Sequence, residues 1–259
     1  GSGSGATITP TASQLDIASM SAIEAAKKIK QMSVQEAVSA LAKLDSAKVA
    51  SILEYVDDNK AAEILKGFEV NKAAEVVEEL SVNKASALIE KLELEKAYSI
   101  LWYVDEPKAA SLLCSMNIMK SASVMNLLPI NKASRLISHM KAEHSSKIIA
   151  EVSVTKAADL LVALDKSLAV EVVDNMVSFG KCDKAASAIL NMPYDHAASI
   201  LLSLTKASTL MEKASEINID GATSILKKCI QIDVEETASV IEDMDVRVGA
   251  MLLINLAKS

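Results

Sequence analysis

Glu69-Val70-Asn71-Lys72-Ala73-Ala74-Glu75-Val76-Val77-Glu78-Glu79-Leu80 is followed at once by Ser81-Val82-Asn83-Lys84-Ala85-Ser86-Ala87-Leu88-Ile89-Glu90-Lys91-Leu92, the same twelve-residue unit written twice. Self-similarity at a fixed period decides architecture before any short motif does. Outward from this pair the unit runs in register from Ser21 to Met176, which is thirteen copies of twelve. Positions eight and nine are paired aliphatics, as in Ile64-Leu65, Leu112-Leu113 and Leu160-Leu161. Position twelve is apolar, as in Leu44, Val56, Phe68, Val104 and Leu128, and positions five and six are small, as in Ala61-Ala62 and Ala157-Ala158.

Apolar sites at five, eight, nine and twelve follow the i, i+3, i+4, i+7 rule, so each copy predicts one amphipathic helix of two to three turns. Asn59, Asn71, Asn83, Asn131 and Asp183 at position three are the expected N-caps. Helices this short do not persist alone in water, because nucleation costs more than their few hydrogen bonds return. They must stack. Linkers of two or three residues predict antiparallel hairpins piled into a right-handed superhelical α-solenoid, an all-α fold.

The expected organisation has three parts. Residues 1–20 hold a flexible Gly-Ser run that reads as an expression scar, then a short linker. Residues 21–176 are the regular array. Residues 177–259 are a shifted, less regular continuation that begins with the four-residue insertion Val177-Ser178-Phe179-Gly180.

Composition narrows the function classes. Apolar residues make up 51% of the chain but aromatic ones only 3%, a core of Ala, Val, Ile and Leu. A net charge of −7 argues against a nucleic-acid binder, whose affinity runs on clustered Lys and Arg. Cys114, Cys182 and Cys229 are far apart and have no C-x-x-C spacing, so neither zinc nor a disulfide framework is expected, and a reducing compartment is favoured. No apolar run is long enough to span a bilayer, so no membrane insertion is expected of this segment. Phosphate-binding, dinucleotide, metalloprotease and nucleophile-elbow motifs are absent, so no catalysis and no cofactor are expected.

Position four carries Lys48, Lys60, Lys72, Lys84, Lys96, Lys108, Lys120 and Lys132 in consecutive copies, then His144 and Lys156. A cation in the first turn opposes its own helix dipole. The ladder is therefore read as bracing against carbonyls and acids at the end of the preceding helix. An anion track is the weaker alternative, because successive copies split the lysines between two edges.

Two other patterns concern binding. Positions ten and eleven are Glu78-Glu79 and Glu90-Lys91 in the opening pair of copies but become Trp102-Tyr103 in the seventh. Position eleven is also Tyr55 in the third copy and Leu127 in the ninth. All three copies are odd, which places these residues on one edge, with Tyr55 and Tyr103 about 20 Å apart at a helix spacing of about 10 Å. An exposed aromatic stripe is a protein-binding signature. Acidic pairs and clusters, Asp57-Asp58 and Glu242-Asp243-Asp245, are the candidates for a hard divalent cation. His139 and His144 fall on different helices and read as a solvated turn.

The form Asn-Lys-Ala-Ala-Glu-Val-Val-Glu-Glu-Leu at a twelve-residue period resembles the N-terminal superhelical domain of MgtE-type magnesium transporters, and more distantly the armadillo-like units of the flagellar motor switch protein. The resemblance implies a cytoplasmic domain that contacts regulatory CBS domains and senses magnesium through acidic residues. This chain departs from that pattern in its longer array and in placing lysine rather than acid at its helix starts. The reading favoured by the residues is a non-enzymatic scaffold for a protein partner or for self-association. A cytoplasmic domain responding to magnesium or another divalent cation is the alternative.

Overall fold

The structure is a computed structural model and describes residues 17–259. Most of the expected leader and linker, residues 1–16, lies outside the described residues. Among the described residues every regular element is a helix and no strand occurs. The chain forms two compact units that divide after Asn117. The register break after Met176 falls inside the second of them.

The first unit contains α1 (Ala22–Gln31), α2 (Val34–Ala42), α3 (Ser46–Leu53), α4 (Asp58–Gly67), α5 (Val70–Glu79), α6 (Val82–Glu90), α7 (Leu94–Tyr103) and α8 (Glu106–Ser115). Each helix is one copy of the unit. It begins at position two, not after position three, so Asn59, Asn71 and Asn83 lie within the first turn and are not the caps. The cap is position one, the last residue with extended backbone. Ser21, Ser33, Asp57 and Ser81 each accept from the amide three residues on, at 3.1–3.3 Å. Both positions carry cap-type side chains, and only the backbone angles decide between them.

The periodic apolar positions form the core as expected. In the fifth copy, Ala73, Val76 and Val77 of α5 and Leu80 just after it are at most 1% exposed. The small residue at six, Ala74, is buried with them. The closest packing joins helices two copies apart: α1 with α3, α3 with α5 and α5 with α7 in one column, α2 with α4, α4 with α6 and α6 with α8 in the other. A small residue at six lets the next helix of a column approach closely. Gly67 of α4 lies close against α2, where a Cβ would stand 2.6 Å from Cγ2 of Val38.

The lysine ladder fastens these columns. Lys48, Lys72, Lys84 and Lys108 donate to the carbonyls of Met20, Leu44, Val56 and Leu80 at 2.5 Å, each 28 residues earlier. Lys60 and Lys96 make the same bond to Met32 and Phe68. Each acceptor is the residue just before the N-cap of the helix two copies back. Lysine therefore joins start to start, and stacked helices run the same way. The expected acceptor at the end of the preceding helix is not the one used.

The second unit repeats this design in α9 (Ile118–Leu127), α10 (Ile130–Ser138), α11 (Ala142–Ile149), α12 (Val154–Ala163), α13 (Lys166–Ser178), α14 (Cys182–Leu190), α15 (Tyr194–Ser203), α16 (Ala207–Ile217), α17 (Ile219–Ile232), α18 (Val234–Glu242) and α19 (Val246–Lys258). The insertion at 177–180 is an added helical turn rather than a loop. It carries α13 to Ser178, and the chain then turns on Gly180, whose φ is +90°, with the Lys181 amide bonded back to the Met176 carbonyl at 2.8 Å. Long-range offsets grow by the same four residues. Lys156 bonds the Leu128 carbonyl, 28 residues back, whereas Lys184 bonds that of Val152, 32 back.

Candidate partner-binding edge

Position ten has a structural task in three copies of the first unit. The carboxylates of Glu54, Glu78 and Glu90 accept from the N-cap amides of Ser81, Asp105 and Asn117 at 2.5–2.7 Å, each 27 residues on. A helix start leaves amides without intrahelical partners, and a neighbouring acid supplies the acceptor. Like the copies with Lys30, Ala42, Lys66 and Cys114 there, the seventh copy lacks this arrangement: Trp102 stands at position ten, and an indole accepts no such bond.

Trp102 is half-buried, and its ring lies 5.9 Å from that of Tyr98, tilted by 44°. Tyr98 is one turn earlier on α7 and occupies position six, where the other copies of this unit carry small side chains or Val38. It was not among the sequence candidates, and its departure at position six is the signal that could have found it. Tyr103 follows Trp102 and is 59% exposed; Tyr55, in the turn after α3, is 52% exposed. Both belong to the column of α3, α5 and α7, with exposed Glu79 at the corresponding place on α5. The edge therefore reads tyrosine, glutamate, tyrosine. Beside it an open groove is lined by Glu78, Glu79, Asp105, Pro107, Lys108 and Ser111, three acids against one base. Apolar ring faces next to an acidic groove can engage a surface carrying apolar and basic side chains.

Leu127, at the end of α9 in the second unit, is 48% exposed. It shares the repeat position of Tyr55 and Tyr103 but has a different unit around it.

The acidic candidates have local tasks or lie open. Asp57 caps α4, and Asp58 pairs with Lys84 at 2.7 Å. Asp245 caps α19 through the amides of Arg247 and Val248, while its own amide donates to Glu212 at 2.5 Å. Glu242 and Asp243 are exposed at the end of α18. Among the described residues no three His, Cys, Asp or Glu side chains converge as a metal site would require. All three cysteines are free thiols. Burial raises the pKa of Cys114 and Cys182, and pushes that of Cys229 up to about 12. Among the described residues no helix is long and apolar enough to cross a membrane.

Residues 20–117 match the family described as the MgtE intracellular N domain. The match covers less than half of the chain and ends where the first compact unit ends. No curated protein and no solved structure matches the chain.

Proposed function

We propose that this chain is a helical-repeat scaffold that holds a protein partner on the aromatic edge of its first unit. The observation that carries the reading is the pair Tyr55 and Tyr103, each more than half exposed at a repeat position that is Glu79 on the helix between them. Large aromatic groups on a surface otherwise graded from charge to core are the side chains that dominate protein interfaces. The groove of Glu78, Glu79 and Asp105 favours a partner segment with basic side chains between apolar ones. Trp102 and Tyr98 back the edge and fix its shape. Leu127 is an exposed apolar side chain of the second unit and a separate candidate contact. No reactive constellation takes part, and the scaffold works without a cofactor.

The test is capture from native lysate by the wild-type chain and by a Tyr55→Glu, Tyr103→Glu variant of equal helicity and melting temperature. Both residues lie on the surface, so the fold tolerates the change. Proteins held by the first and lost by the second support the reading. An unchanged set, or none, contradicts it.

The match of residues 20–117 to the MgtE intracellular N domain supports a second reading, an intracellular regulatory domain that responds to a divalent cation. Its candidate ligands in the matched stretch are Asp57 and Asp58; Glu242, Asp243 and Asp245 lie beyond it. The cation must then displace Lys84 from Asp58. A rise in melting temperature at millimolar magnesium that is lost in Asp57→Asn, Asp58→Asn supports this reading. No shift in the wild-type chain contradicts it.

A further inference from the structure

In the middle of the second unit, positions six and nine are covered by the next helix of the column, whereas α18, the last of its column among the described residues, leaves Ala238 exposed and Ile241 half-buried. Ala158 and Leu161 of α12 are 1% exposed, and Ala198 and Leu201 of α15 are no more open than 2%. At α19 the rule stops halfway. Gly249 and Leu252, positions five and eight, are packed inward, with Leu252 fully buried. Ala250 and Leu253, positions six and nine, are bare, and Leu253 is 44% exposed. Among the described residues no further helix lies on this face.

The apolar area is also wider than one further helix of the column would need. Positions seven and ten, polar in most copies (Glu63, Glu75, Asp159 and Glu171 at seven), are Met251 and Ile254 here, 56% and 55% exposed. Val246 is 86% exposed and begins a stripe that continues through Ala250, Leu253 and Ala257 at spacings of four, three and four.

We propose that this face of α19 is the contact between two copies of this chain, paired antiparallel about a twofold axis. Charge selects that occupant and that direction. Lys258 lies exposed at the end of α19, while Glu242, Asp243 and Asp245 lie exposed about its start with Arg247 beside them, so the acids keep the excess there. A helix of this length spans about 20 Å. Antiparallel pairing therefore sets Lys258 of each copy beside the acids of the other, and opposes the two helix dipoles head to tail. A twofold contact makes both ion pairs at once from one patch. Ala250 and Ala257 let the axes come close. A groove lined by Ile241, Met244, Val246, Gly249 and Leu253 receives an apolar side chain such as Ile254 of the second copy. This contact is independent of the aromatic edge.

The experiment is sedimentation equilibrium of the 259-residue chain across the micromolar range. The wild-type chain is expected to form a concentration-dependent dimer. Leu253→Asp with Ile254→Asp is expected to be monomeric throughout, with unchanged helicity and melting, since both side chains are exposed. Lys258→Glu should weaken the dimer severalfold, and adding Asp243→Lys should restore it. The Tyr55→Glu, Tyr103→Glu variant should dimerise as the wild type does. A wild-type chain that stays monomeric overturns the proposal and assigns the face to another occupant. A dimer that survives the two aspartates, or a charge swap that restores nothing, overturns it as well.

Discussion

The ammonium group of Lys84 is shared between the carbonyl oxygen of Val56, 2.5 Å away, and a carboxylate oxygen of Asp58, 2.7 Å away. Lys84 lies in the first turn of α6, while Val56 and Asp58 flank the N-cap of α4, so the contact ties together the starts of two stacked helices. A first-turn lysine opposes the dipole of its own helix. Here the carbonyl and the acid two copies back reverse that balance, and the same position can carry lysine copy after copy.

Lys72 makes the carbonyl bond to Leu44, and Lys84 adds an acid to it. Hydrogen bonds to charged groups contribute about 1.5–3 kcal/mol, less what water returns to the freed carbonyl, so Lys72→Ala should lower stability by about 1–2 kcal/mol. Lys84→Ala should cost somewhat more. Asp58→Asn should cost less than either, because Asp58 is 45% exposed and its pair is screened. Chemical denaturation of the three variants checks the order. Losses of a few tenths for the lysines would mean that water serves these carbonyls equally well.

The twelve-residue period, the paired aliphatics and the small residues at five and six are legible because burial in a helix is periodic and local. The all-α stacked array follows from them. The ladder's acceptors were not legible, since Leu44 becomes the partner of Lys72 only once it is known that columns join alternate copies. The cap was misplaced for a related reason: Ser81 and Asn83 are both good cap residues, and only backbone angles separate them. One long-range signal could have been read. Glu54, Glu78 and Glu90 stand 27 residues before amides they serve, and Asp174 stands 31 before Thr205 across the insertion. Val162 stands 31 before Pro193, which has no amide to offer. The missing donor accounts for the apolar residue at 162, but not for Ala42 and Lys66, which stand 27 before Glu69 and Glu93. On the candidate edge, Tyr55 and Tyr103 stood out against glutamate at the same position, whereas Tyr98 was hidden among residues expected to be small.

Gly67 tests how tightly a column is packed. It lies near the end of α4 without a positive φ, so on helix propensity alone Gly67→Ala should stabilise by up to about 1 kcal/mol. The added methyl would stand 2.6 Å from Cγ2 of Val38, the tip of a short branched side chain with little room to turn. Overpacking of this kind costs about 1–3 kcal/mol, so the net effect should be destabilising. Val38→Ala in the same chain should turn the substitution favourable. Thermal melts of the two single variants and the double form the cycle, and a stabilising Gly67→Ala alone would show that α2 yields.

Cys229 reports on the second unit. It lies in α17, is 1% exposed, and burial pushes its pKa up to about 12, against a smaller opposing contribution from its backbone hydrogen bond. The native thiol is therefore neutral at pH 8, and the nucleophile in alkylation is the thiolate. Half-buried Cys114 and Cys182 should react first with iodoacetamide, and Cys229 only when α17 opens. Because the folded pKa is raised, the stability gained by burying the neutral thiol is fully present below the unfolded value near 9. It is lost as pH rises from there toward 12. Cys229→Ala should cost stability at neutral pH through the cavity it leaves, yet decline less steeply than the wild type between those two values. Alkylation of Cys229 as fast as that of Cys182 would mean that α17 exchanges readily with an open form at neutral pH, and parallel alkaline denaturation curves would mean that burial does not raise its pKa.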